Sequence, residues 1–140
     1  MIKFTIAGNP IPYTRTTQKG KFGSPQWQRY AEYKAKIVAS FLDSVSDASE
    51  KRNYWNNYQV YGKPVYSQTI TYVLSIAYFR NKQHGDSDNI NKGVLDSLFV
   101  NDKFVVGAFN YHYDSVNPRL EVTVCDNAGD WKSVLRQVNW

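Results

Sequence analysis

One cysteine, one methionine and two histidines in 140 residues leave little room for several kinds of chemistry. Cys125 has no second cysteine to pair with, so no disulfide closes within the chain. Structural zinc, which takes four Cys or His ligands, is excluded on the same count. No apolar run approaches the roughly 18 to 20 residues that cross a bilayer. The opening Met1-Ile2-Lys3-Phe4-Thr5-Ile6 alternates like a strand and lacks the apolar stretch of a secretory leader. Internal repeats and low-complexity tracts are missing as well. The expectation is one soluble domain over residues 1–140, in a reducing cytoplasm and with no membrane partner.

What the chain does have is basic charge and aromatic rings. Seventeen Lys and Arg against twelve Asp and Glu give a net charge of +5, a balance that favours a polyanionic partner without proving one. Hydrophobic residues at 42% are enough to build a core. Eleven Tyr and four Trp can stack on bases, although such rings more often fill the core of a chain this short of methionine.

Periodicity sorts the chain into elements. Lys3 to Ile6 reads as a half-buried strand, ended by Gly8-Asn9-Pro10-Ile11-Pro12. Residues 13–23, with Arg15, Lys19 and Lys21 among Thr and Gly, read as a basic loop. Ser24-Pro25 is a helix start, and Trp27, Tyr30, Ala31, Lys34, Ile37, Val38, Phe41 and Leu42 carry a helix over about 25–43. Residues 44–64 show no clean period and read as a long connection. Residues 67–80 are β-branched and aromatic, a long strand. A helix over about 87–99 follows, then strands over about 103–113 and 119–124 that are expected to pair antiparallel across Asn117-Pro118. The tail from Trp131 reads as a short helix. The order β-α-β-α-β-β predicts an α+β domain with its helices on one face of a mixed sheet.

The segment His84 to Leu98, followed by Asn101-Asp102, carries the chemistry. Ile90, Val94, Leu95, Leu98 and Phe99 make one apolar stripe. Asp88, Lys92 and Asp96, at i, i+4 and i+8, share another face. Asp86 stands just ahead of the helix and Asp102 just past it, where the next strand begins. Carboxylates brought together repel unless a cation intervenes, and Mg2+ takes such oxygen ligands together with waters and phosphates. Spacing alone leaves a second reading open, in which Asp86 or Asp88 caps the helix, Lys92 is an ordinary i,i+4 partner and Asp102 is a turn residue. The basic loop likewise reads either as a phosphate-gripping segment through Arg15, Lys19 and Lys21 or as a solvated surface. Lys34 and Lys36 are lesser candidates for that contact.

The run Asp86-x-Asp88-Asn89-x-x-Lys92-x-x-x-Asp96-x-Leu98, then Asp102 before Val105-Val106, resembles the RusA family of Holliday-junction resolvases. Gly8-x-Pro10 followed by Arg15 is similar to that family's N-terminal loop. The resemblance implies a RusA-like fold and a homodimer. It implies Asp86, Asp88 and Asp102 as metal-binding catalytic carboxylates, Lys92 as a catalytic lysine, and Asp96, Asn101 and Asn89 in support. The implied cofactor is Mg2+, with Mn2+ as a substitute. The implied activity is endonucleolytic: paired symmetric nicks in four-way DNA junctions, in recombination, repair or phage DNA processing, within a bacterial or phage setting. Where the family has two adjacent aspartates this chain has Asn101-Asp102, from which weaker metal binding is expected. A junction binder that has lost cleavage, and a metal-dependent nuclease acting on other branched DNA, are the alternatives.

Overall fold

The computed structural model describes residues 1–13, 25–61, 63, 71–82, 87–99 and 102–138, with the side chains of Tyr61, Ser87 and Asp102 outside that description. Strand β1 (Ile2–Ala7) is followed by helices α1 (Pro25–Ser44) and α2 (Ala48–Tyr61). Strand β2 (Thr71–Phe79), helix α3 (Ser87–Leu98) and strand β3 (Val105–Tyr113) come next, then strand β4 (Arg119–Cys125) and helix α4 (Ala128–Gln137). The result is an α+β architecture on a mixed four-stranded sheet of order β1-β4-β2-β3.

The last two strands do not pair with each other, contrary to the expectation from their adjacency. β3 runs parallel to β2, with Thr71 opposite Val105 and Phe79 opposite Tyr113. β4 inserts between β1 and β2, antiparallel to both. Burial explains the choice. Leu120, Val122 and Val124 are almost wholly buried, so β4 takes a central place that β3 could not fill with its half-exposed side chains. The crossing between them is tied down where Asp114 N–H donates to the Phe79 carbonyl at 2.8 Å.

The expectation of helices on one face is also corrected. Phe4, Ile6, Val73, Ala77, Leu120, Val122 and Val124 face one core with α1, α2 and α3. Leu74 and Cys125 face the other side, where α4 covers them with Trp131 and Val134. The reason lies in β2, whose side chains are apolar on both parities, the pattern of a strand covered on both faces. Trp131 stacks on Tyr72 at 5.4 Å between centroids. Asn127 caps α4 by accepting from Asp130 N–H.

Residues 48–61 form a helix where a long connection was expected. Asp47 Oδ1 accepts from Glu50 N–H at 2.8 Å and so starts α2, while Tyr54 packs its ring on Phe41. Residues 103–104, expected in a strand, belong to a 3-10 turn, Asp102–Phe104, that leads into β3. Among the described residues no helix is long and apolar enough to cross a membrane.

Candidate active site on helix α3

Ile90, Val94 and Leu98 recur every fourth residue and are buried against the sheet, joined by Phe99 and in part by Leu95. Two glycines set how closely this helix approaches its neighbours. A Cβ at Gly93 would stand 3.3 Å from the Tyr30 ring of α1, and a Cβ at Gly107 of β3 would stand 3.2 Å from the Asn91 amide. Asn91 is itself nearly buried and accepts from Ser75 Oγ of β2 at 3.1 Å. A polar side chain thus fixes α3 over β2 and β3, and bare backbone lets it fit.

The polar face divides into two ends. At the first turn Asp88 is exposed, and among the described residues its carboxylate has no hydrogen bond or ion pair. One turn on, Lys92 is also exposed, with its Nζ 5.6 Å from the centre of the Tyr13 ring. Tyr13 N–H donates to the Asn89 carbonyl at 3.0 Å, and its ring meets Tyr30 edge-on at 5.3 Å. The chain therefore departs into its basic stretch from beside Asp88 and Lys92. Arg15, Lys19 and Lys21 lie outside the described residues, as does His84.

Asp96 marks the other end, and it does not stack with Lys92 as its spacing invites. Its carboxylate accepts from Tyr30 Oη at 2.9 Å and pairs with Lys34 at 2.9 Å and Lys63 at 3.4 Å. Lys63 also donates to the Phe99 carbonyl just past the end of α3. Partial burial works to raise the Asp96 pKa, but the hydrogen bonds from Lys34 and Tyr30 and the charges of Lys34 and Lys63 hold it below the usual carboxylate value. Burial, reinforced by the bond to Asp96, pushes the Tyr30 phenol well above the usual tyrosine value. Lys34 is thereby drawn away from phosphate contact, while Lys36 stays exposed. Local spacing carries no trace of Tyr30 or Lys63 as Asp96 partners, because they lie 66 and 33 residues away in sequence.

Asp86 and Asn101 fall outside the described residues. The backbone of Asp102 opens the 3-10 turn beyond the C-terminal end of α3, whereas Asp88 sits in its first turn. Eleven residues of helix, Asp88 to Leu98, lie between them and span roughly 15 Å. Within one chain the backbone does not bring Asp102 to Asp88. Among the described residues no group of three or more His, Cys, Asp or Glu side chains is placed to hold a metal ion. Asp88 fits a hard cation in kind, as a solvent-facing carboxylate, but a single carboxylate does not hold Mg2+.

His112 stacks on Tyr78 at 5.3 Å between ring centres and serves packing. Cys125 is fully buried, a small core residue. The known protein families and the curated proteins offer no match to this chain.

Proposed function

We propose that the chain is a divalent-metal-dependent endonuclease of branched DNA, acting on four-way junctions by paired nicks. The observation that supports it most is the pairing of an uncommitted carboxylate, Asp88, with an exposed ammonium, Lys92, beside the root of the basic segment. These are the Asp and Lys of the D-x-D-N-x-x-K run that resembles RusA resolvases. A site of that kind needs an electrophilic centre, a cation for the phosphate and a nearby polyanion grip.

Asp86, Asp88 and Asp102 would hold the metal. Because α3 keeps Asp88 and Asp102 apart in one chain, a three-carboxylate centre draws Asp102 from a second copy, so the homodimer belongs to the proposal. Once held, Mg2+ supplies an acidified water and charge neutralisation at the phosphate. Lys92 binds the scissile phosphate and offsets the negative charge that grows as it is attacked. The Tyr13 ring keeps Lys92 pointed across the first turn. Arg15, Lys19 and Lys21 grip the backbone of the arms without reading sequence, so binding weakens steeply with salt.

A synthetic mobile four-way junction with and without Mg2+ tests this. Symmetric paired nicks that need the metal are expected, and Asp88→Asn should abolish them while binding stays intact or tightens. Wild-type rates in Asp88→Asn would refute the assignment. A second reading, a junction binder that does not cut, draws on the separation of Asp88 and Asp102, and predicts a bound junction with no nicks at any metal concentration.

A further inference from the structure

We infer that the cleft between α1 and α2 is a docking site for an acidic segment of a partner protein, one that carries an apolar side chain beside its carboxylates. The inference goes beyond the nuclease reading and does not rest on it.

Helix α2 spends little of its surface on the core: Tyr54 is the one buried residue among its described side chains, with Tyr58 packed in part beside it. A second face of the helix is carried by Ala48, Lys51, Arg52 and Trp55, at i, i+3, i+4 and i+7. Ala39, Leu42 and Asp43 of α1 repeat the i, i+3, i+4 spacing, and a cleft of about 550 Å³ lies between the two rows. Ala39 and Ala48 explain the opening, because neither has the bulk to fill it. A cleft of this size seats a compact ligand or a few side chains of a partner.

The lining combines carbon surface with positive charge. Trp55 is 48% exposed, and a tilted contact with the Tyr58 ring, 5.8 Å between centres, steadies its indole. An indole in a concave, mostly apolar place is the kind of group that anchors protein interfaces. Lys51 and Arg52 are exposed, and among the described residues neither forms an ion pair with Asp43 or with any other carboxylate. The nearby acids of α2 are committed within the helix: Glu50 accepts from Tyr54 Oη, and Asp47 accepts from Glu50 N–H. Charge and shape together select the occupant. A DNA backbone would use the two cations but leave the carbon lining in water, and it would meet repulsion from Asp43. From Ala48 to Trp55 the α2 wall is roughly 10 Å long, about three residues of extended chain. A short acidic peptide can therefore place carboxylates at Lys51 and Arg52 and an apolar side chain on Trp55 and Leu42. Twelve residues of α1, roughly 18 Å, separate Leu42 from Tyr30, the residue that packs on α3. A peptide seated in the cleft leaves Asp88 and Lys92 open.

The test uses the full chain, without DNA or metal, and a fluorescein-labelled peptide, Asp-Asp-Asp-Gly-Ile-Phe, followed by anisotropy. Two control peptides replace the aspartates by lysines or the Ile-Phe pair by serines. The acidic apolar peptide should bind, and each control should bind about tenfold more weakly or worse. Trp55→Ala and the double variant Lys51→Glu with Arg52→Glu should each cost about tenfold or more in affinity. A third variant, Ala39→Trp, keeps every charge and the indole but fills the cleft, and it should abolish binding while circular dichroism and the melting temperature stay near wild type. No binding at about 1 mM peptide, or equal binding of the three peptides, would overturn the inference. So would affinity that falls with the two cations but ignores Trp55→Ala and Ala39→Trp, which would make Lys51 and Arg52 an unselective anion patch of the sort DNA also meets. Peptide binding with the expected pattern by a protein that never nicks DNA would leave the inference standing while the nuclease reading fell.

Discussion

Asp88 and Asp96 lie two helical turns apart on the same face of α3, yet they do different work. Asp96 is enclosed by Tyr30, Lys34 and Lys63 and joins α1, α3 and the segment before β2. Asp88 faces solvent, with no described partner. The same side chain is structural where three donors converge on it and available for chemistry where none do. Position along the helix does not decide this; the elements packed against each turn do.

The largest contrast should appear in cleavage. Asp88→Asn is expected to lose junction nicking by about a hundredfold or more, while Asp96→Asn keeps most of it once folded. Stability should run the other way. Asp88→Asn gives up at most a helix-dipole term, under about 1 kcal/mol. Asp96→Ala takes the acceptor from the Lys34 ammonium and from a buried phenol and leaves Lys63 with the Phe99 carbonyl alone, which with a discount for the partly exposed carboxylate amounts to about 1–2 kcal/mol. Chemical denaturation of the three proteins measures both. Equal destabilisation by the two substitutions would break the comparison.

Acid titration sharpens it. Asp96 has a folded pKa below its ordinary value near 3.8. Its unfolded carboxylate therefore takes up protons first as pH falls, and the folded state loses its advantage there. The increment is fully present above about pH 5 and fades as pH drops through and below about 4. The melting-temperature gap between wild type and Asp96→Asn should be constant from about pH 5 to 8 and close below about pH 4. A gap that persists unchanged into that acid range would show that Asp96 acts by packing and not by charge.

Much of the framework was legible in the sequence because it rests on local period. Pro25 and the apolar stripe behind it place α1 within a residue of where it ends, and the β-branched run of β2 and the alternation of β4 mark those strands. α2 was illegible by stripe because it buries little beyond Tyr54; the Asp47-x-x-Glu50 start was the signal available for it. The pairing of β4 with β1 and β2 in place of β3 is a competition for burial that no neighbour-in-sequence rule resolves. The site is split in the same way. The D-x-D-N-x-x-K run is visible as spacing, but the capture of Asp96 is set by groups far along the chain. So is the distance a twelve-residue helix puts between Asp88 and Asp102.

The smallest expected effect tests how Asp96 divides its partners. Lys63 makes the longest contact, 3.4 Å, against 2.9 Å for Lys34 and for Tyr30, but it also donates to the Phe99 carbonyl at 3.1 Å. If the carboxylate is the main tie, Lys63→Met leaves Lys34 and Tyr30 in place and costs about 0.5 kcal/mol, as a partly exposed pair should. If the helix-end carbonyl is the main tie, the cost is larger, because the end of α3 loses the donor that satisfies it. A double-mutant cycle of Lys63→Met with Asp96→Ala separates the two. A coupling near the whole of the single-mutant loss assigns Lys63 to Asp96, and a coupling near zero assigns it to the Phe99 carbonyl. The first outcome extends the contrast with Asp88 to a third segment of the chain; the second confines the enclosure of Asp96 to α1.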